Sequence, residues 1–235
     1  MENLKGIQVN EMFSAIAHRY DFLNKLLSVG FDKRWRIKAI DQLGPISGGR
    51  YLDVATGTAD MAIEIANRPI ENIHVTAIDF TQEMLQLGQE KIDNLNLSQN
   101  ISIQKADAQS LPFKDDEFDG AVCAFGVRNF SNIHIGIREM RRVIKRGASV
   151  IILEFTTPIN PFFRELYLFY FKNILPLIGG LISSRPDAYR YLPDSVMKFP
   201  DPEGLKTIME NTGLVDIKYQ GLTLGIVTIH TGRKP

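Results

Sequence analysis

The sequence predicts an α/β fold: a seven-stranded, mostly parallel sheet with one antiparallel strand and helices on both faces. Three observations carry this reading. Residues 50–60, Arg50-Tyr51-Leu52-Asp53-Val54-Ala55-Thr56-Gly57-Thr58-Ala59-Asp60, read as a buried strand, a tight turn and the start of a helix. Short apolar runs then alternate with helical stripes, as a parallel sheet with crossover helices requires. Two late apolar runs, 215–219 and 226–231, have only residues 220–225 between them. That is too short for a parallel crossover, so these two strands should run antiparallel.

In chain order, residues 1–30 look helical, with Met12, Phe13, Ile16 and Tyr20, then Phe22, Leu23, Leu26 and Leu27, at helical spacing. Tyr20, Asp21 and Asn24 are polar groups among them and read equally as helix surface or as substrate-facing residues. The first strand, 51–54, is followed by a helix from about Thr58 through Ile63 and Ala66. The second strand, 73–78, ends at Asp79, and Thr81 is placed to N-cap a helix carrying Met84, Leu85, Leu87 and Ile92. A third strand, 101–104, leads to Asp107-Ala108, and a fourth, 118–125, to Gly126-Val127-Arg128-Asn129. Ile133, Ile137, Met140 and Ile144 mark a helix, and 149–153 is the fifth strand, ending at Glu154-Phe155. Arg138, Arg141, Arg142, Lys145 and Arg146 read as the solvated, C-terminal face of that helix. Segment 161–182 is apolar on most of its circumference, which fits either a core helix or a lid over a greasy ligand. It is too short in uninterrupted apolar length to span a membrane. The stretch 185–195 is loop-like in composition yet rich in Arg and Tyr, Tyr191 among them, which suits holding a ring.

In open α/β sheets ligands collect beyond the carboxyl ends of the strands. The turn there carries Gly57 but lacks the further glycines that a pyrophosphate needs for close backbone approach. A nucleoside bearing a zwitterionic amino acid asks less: N–H groups and a hydroxyl for its carboxylate, and an anion such as Asp53 near its ammonium. S-adenosylmethionine meets that description, with a dehydrogenase or a non-binding βαβ unit as the alternatives. Asp79 suits a ribose hydroxyl pair, and Asp107 suits an adenine amine.

The 235 residues are most simply one domain. They divide into an N-terminal helical cap (1–45), a cofactor-binding core (46–157), a lid (158–200) and a closing helix with two strands (201–235). With 27 basic and 27 acidic residues, the chain sets up no net field toward nucleic acid. The lone Cys123 lies in an apolar run, as expected of a core residue in a reducing cytosol. The histidines are scattered and no cluster has metal-ligand spacing. No Tyr is followed four residues on by Lys, which argues against a short-chain dehydrogenase; a non-catalytic lipid carrier would have no use for acids at one sheet edge.

The motifs resemble those of the ubiquinone/menaquinone biosynthesis C-methyltransferases, along nearly the whole chain and in order. They include Ile16-Ala17-His18-Arg19-Tyr20-Asp21-Phe22-Leu23-Asn24, Trp35-Arg36, residues 53–60, Asp107-Ala108 with Leu111-Pro112-Phe113, and Phe125-Gly126-Val127-Arg128-Asn129. Leu153-Glu154-Phe155, Tyr189-Arg190-Tyr191-Leu192-Pro193-Asp194-Ser195 and His230-Thr231-Gly232-Arg233-Lys234-Pro235 complete the match. Thr56 and Ala59 stand where the family usually has Gly, with Ala59 suited to a helix start, and Ala124 where relatives often have Ser or Gly. The resemblance implies a class I, Rossmann-like S-adenosylmethionine-dependent methyltransferase. It implies donor contacts at Gly57, Thr58, Asp79, Asp107, Ala108 and Ala124, with Asp53 beside them, and no metal.

The reaction implied is C-methylation of a polyprenyl demethylmenaquinol to menaquinol; a benzoquinol or another hydrophobic small molecule is the alternative. Deprotonation of a ring hydroxyl charges the ortho carbon, which attacks the sulfonium methyl. Arg128 would stabilise the oxyanion, with Asn129 orienting, a held water or Asp21 as base, and Tyr20, Asp21, Asn24 and Tyr191 lining the substrate. A cytoplasmic protein is expected. Peripheral contact with the inner face of the membrane through 161–182, and an oligomer, are left open.

Overall fold

The strand β1 (Arg50–Val54) takes an interior place in the sheet because its residues 51–54 are buried. Leu52 and Val54 face one core layer, and Tyr51 faces the other. A strand covered on both faces belongs in a parallel sheet roofed by helices. The computed structural model describes residues 11–14, 17, 28, 30–158, 160–169 and 186–235. Its seven strands follow the order β3-β2-β1-β4-β5-β7-β6. The others are β2 (His74–Asp79), β3 (Ile101–Lys105), β4 (Phe118–Ala124), β5 (Ile144–Phe155), β6 (Val215–Leu222) and β7 (Val227–Arg233). β1 to β5 are parallel, while β7 runs antiparallel to both β5 and β6, as the short 220–225 connection demands.

Helices α1 (Asp32–Leu43), α2 (Asp60–Ala66) and α3 (Gln82–Asn94) cover one face through Trp35, Ile40, Met61, Ile65 and Ile92. Helices α4 (Ile133–Val143) and α7 (Pro202–Asn211) cover the other through Ile137, Met140, Leu205 and Met209. The chain therefore winds outward from β1 in one direction and from β4 in the other. A crevice opens where the winding reverses, between the carboxyl ends of β1 and β4.

Several local expectations are corrected. Lys145 and Arg146 are not on α4: that helix ends at Val143, and β5 begins at once because Ile144 pairs with Phe118. Arg142 is not a solvated cation either, since it donates to the carbonyls of Leu111 and Phe113 and pairs with Glu139 and Asp115. Thr81 occupies the N-cap position of α3 without a side-chain cap bond; its N–H donates to Asp79 Oδ1 at 2.8 Å. The stretch expected to be a loop is a helix, α6 (Pro186–Lys198), which begins on a proline and carries Pro193 inside. Proline lacks only a donor that a first turn leaves unpaired anyway. In 161–182 the described part is α5 (Pro161–Phe169), and it is no core helix: Tyr167 is buried, while Phe162 is 72% and Phe169 57% exposed. Residues 170–182 lie outside the described residues.

Ala59 does not simply open α2. Its φ is +65°, the left-handed conformation that glycine adopts without strain. Its methyl is nonetheless fully buried, 3.2 Å from where a Cβ on Gly88 would sit. A left-handed alanine costs about 1 kcal/mol, and a buried methyl returns about 0.8 kcal/mol. Ala59→Gly should therefore leave stability unchanged to within about 0.5 kcal/mol in chemical denaturation, although it restores the more permissive residue.

Candidate active site

At the carboxyl ends of β1 to β4 lies a cleft whose empty space, mouth included, is about 1120 Å³. Asp53, Gly57, Thr58, Asp79, Asp107, Ala108, Ala124 and Asn129 all line it. The sequence assigned these residues to donor or ring from four separate stretches, and the winding of the sheet brings them together.

The turn after β1 is built by its own carboxylates. Asp53 Oδ2 accepts from Thr56 Oγ1 at 2.5 Å and from Ala62 N–H at 3.0 Å, while Oδ1 is buried without a hydrogen-bond partner. Asp79 Oδ2 accepts from Gly57 N–H at 2.9 Å, so the acid at the end of β2 also holds the glycine turn. Gly57 itself has φ +57°, which its lack of a side chain makes free of strain. Burial pushes Asp53 up to about 7, against hydrogen bonds from Thr56 and Ala62 and with the neighbouring charges of Asp79 and Asp60 adding to the rise. Burial likewise raises Asp79. Thr58 Oγ1 accepts from Lys91 Nζ at 2.8 Å, and the same ammonium meets Asp60 at 2.9 Å. Asp107 Oδ1 accepts from the Gln109 N–H at 2.9 Å, closing the loop after β3.

The far wall comes from the end of β4. Phe125 takes φ +57° and turns the chain into a short 3-10 segment, Val127–Asn129. Gly126 is required by packing: a Cβ there would fall 2.6 Å from Ala55 Cβ and 2.8 Å from Cys123 Sγ. The Ala55 methyl is fixed to the backbone and cannot swing aside, so Gly126→Ala should cost about 1–3 kcal/mol in denaturation and weaken donor binding in parallel.

Arg128 sits in the 3-10 segment after β4, paired with an acid of β5. It is absent from the cleft lining; its Nη1 pairs with Glu154 Oε1 at 2.6 Å and also donates to the Phe125 carbonyl, and its N–H meets Glu154 Oε2 at 3.2 Å. Glu154 is fully buried. The cation is thus neutralised and holds the β4 turn in shape. Asn129 does line the cleft, and its Oδ1 accepts from the Tyr191 hydroxyl of α6 at 2.9 Å. Burial raises the Tyr191 phenol, although Arg128 opposes this, so it stays a donor at neutral pH and fixes the Asn129 amide. Tyr20, Asp21 and Asn24 lie outside the described residues. The sequence reading gave no role to Arg36, Gln109, Phe125 or Phe130, all of which line the cleft. Arg36 had a signal in the Trp35-Arg36 block, but a lone cation on an amphipathic helix reads as surface. Among the described residues no group of three or more His, Cys, Asp or Glu side chains is arranged to hold a metal ion.

The profile of the ubiE/COQ5 methyltransferase family matches residues 1–234. The chain belongs to this family. Among its members, a protein of Geotalea uraniireducens named ubiquinone/menaquinone biosynthesis C-methyltransferase UbiE is 47% identical over 98% of this chain and 97% of its own. Proteins named demethylmenaquinone methyltransferase from Deinococcus radiodurans and Porphyromonas gingivalis are 43% and 40% identical, each over 98% of this chain and 94% of their own. The fold of this family member is also that of solved S-adenosylmethionine-dependent methyltransferases. A possible histamine N-methyltransferase of Thermotoga maritima superposes with TM-score 0.68 at 16% identity, over 96% of this chain and 99% of that one. The [4+2]-cyclase SpnF superposes with TM-score 0.71 at 17% identity, over 97% and 95%.

The cleft fits the donor of such enzymes. S-adenosylmethionine carries a sulfonium and an ammonium, and three acids, Asp53, Asp60 and Asp79, line the cleft on the side of the glycine turn. One of them, Asp53, holds a buried oxygen without a partner, as an ammonium-binding site would.

Proposed function

We propose that this methyltransferase C-methylates the ring of a reduced polyprenyl demethylmenaquinol to give menaquinol. The observation that carries the reading is the match along the whole chain to relatives named demethylmenaquinone methyltransferase. The relatives of higher identity carry both quinones in their name, which makes a benzoquinol the second substrate to test.

When bound, S-adenosylmethionine supplies an electrophilic methyl group. Asp53 would take its ammonium, Asp79 its ribose hydroxyls, and Asp107 with Ala108 its adenine; Gly57, Thr58 and Ala124 would form the floor beneath it. The chain's own task is then mostly positioning, with polar groups aimed where charge develops on the ring oxygen. Asn129 is assigned that place. Its Oδ1 is committed to Tyr191, so the amide NH₂ is the half that can donate to a ring oxygenate. Its contact with the Phe125 carbonyl is long, at 3.5 Å, and leaves that donor capacity largely unspent. Arg128, assigned the oxyanion from sequence, becomes a positioning residue that shapes the Phe125–Asn129 turn. Asn129→Ala should lower turnover by about a hundredfold, the scale of losing one oxyanion donor, with donor affinity changed little.

The exposed Phe162 and Phe169 of α5 support a role for this helix at the entrance for a prenyl chain, against a membrane surface. No helix among the described residues is long and apolar enough to cross a membrane. Sedimentation with liposomes should fall when both phenylalanines are replaced by Ser; unchanged sedimentation would remove α5 from that role.

The substrate assignment is tested by incubating the protein with labelled donor and either reduced demethylmenaquinone or its benzoquinol counterpart, then identifying the product by mass. Label in the naphthoquinol is the expected result. Label in neither would overturn the proposal, and label only in the benzoquinol would reassign the substrate.

A further inference from the structure

The cleft holds one more polar atom without a partner, and it is a cation's. Arg36, on α1, lines the cleft, and its side chain is only 12% exposed. Its Nη1 pairs with Asp32 at 2.9 Å and approaches Asp60 at 3.5 Å, but its Nε–H is buried and donates to nothing. Asp32 is itself held by the Ser28 hydroxyl at 2.8 Å, so the guanidinium is braced from behind. A braced arginine with an unspent donor in a ligand cleft suits an anionic oxygen, because the planar fork presents its remaining N–H groups in fixed directions.

The same cleft carries the complementary orphan, Asp53 Oδ1. A carboxyl acceptor and a guanidinium donor, each buried and each unspent, together describe a receptor for an α-amino acid zwitterion. We infer that Arg36 binds the carboxylate of the methionine half of the donor and so makes the cleft selective for donors and products that keep it. Arg36 is then a binding residue for the donor rather than for the ring. The inference rests on the donor reading above and adds the group that recognises one end of it.

Two ligands and two variants separate the possibilities. S-adenosylhomocysteine and S-adenosyl-3-thiopropylamine share the adenosine, the thioether and the ammonium, and differ only in the carboxylate. Titration calorimetry on the wild-type protein should show the first binding about tenfold to a hundredfold more tightly, the range for a hydrogen bond to a charged group. Arg36→Gln should abolish that difference by weakening S-adenosylhomocysteine alone, with the thiopropylamine bound as before. Arg36→Lys, which keeps the charge and the Asp32 pairing, should fall between them. Unchanged thiopropylamine binding also reports that the variants are folded. Equal losses for both ligands in both variants, or no loss in either, would overturn the role of Arg36 and leave the donor reading standing. Failure of both ligands to bind the wild-type protein would instead remove the donor reading itself.

Discussion

Asp53→Asn is expected to weaken donor binding about tenfold to a hundredfold above pH 7 and to make it independent of pH. The cause lies in where Asp53 sits. Burial raises its carboxyl to about 7, so in the ligand-free protein near neutrality it is roughly half protonated. A donor ammonium against Oδ1 favours the ionised form, and binding must then expel the proton. Wild-type affinity should therefore rise about tenfold per pH unit up to about pH 7 and level off above it. Calorimetry in two buffers of different ionisation enthalpy should detect the proton released, and the Asn variant should release none. The ligand-free protein should show the opposite trend. A carboxyl raised above its unfolded value of 3.8 contributes stability that is fully present below that value and is lost as pH rises through about 7. Ligand-free Asp53→Asn should accordingly gain on the wild type in thermal stability as pH rises from 5 to 8. A pH-independent wild-type affinity would detach Asp53 from the ammonium.

The second large effect belongs to the buried pair under the β4 turn. Arg128→Ala should destabilise the protein by about 3–5 kcal/mol, because it strands the Glu154 carboxylate in the core. Burial already raises Glu154, and the Arg128 charge opposes that rise. Without the arginine the carboxyl rises further, so the penalty should be larger at pH 8 than at pH 5. Replacing both partners by apolar residues, Arg128→Met with Glu154→Leu, should recover most of the stability. It should not recover turnover, because the Phe125–Asn129 turn would lose the clamp that aims Asn129. Full activity in the double variant would show that the pair serves stability alone, and a single Arg128→Ala that folds normally would contradict the geometry.

These expectations show what the sequence could disclose. The order of strands and helices was legible because the apolar periods are clean and the short 220–225 connection leaves β6 and β7 no parallel option. Asp53, Asp79 and Asp107 are legible as residues of one cleft because each falls at or just beyond the carboxyl end of a strand on the same edge. The partner of Arg128 is not legible, because Glu154 reads as one more strand-end acid and the contact spans 26 positions in the chain. Arg36 is illegible for the converse reason, since nothing in a helical pattern reveals that one face closes a cleft. Conformation was the other blind spot. The positive φ values of Ala59 and Phe125 run against the preference of either residue, so no local propensity announces them. The prolines and polar residues of α6 outweigh a modest apolar stripe, so its sequence looks like a loop.

What occupies the crevice between β1 and β4 is shown most directly by a crystal structure with S-adenosylhomocysteine bound. The expected electron density places the ribose on Asp79, the amino group on Asp53, and the thioether sulfur on the side of the cleft that carries Asn129. Density for the ligand on another face of the sheet, or a cleft closed by its own side chains in the presence of saturating ligand, would contradict that placement.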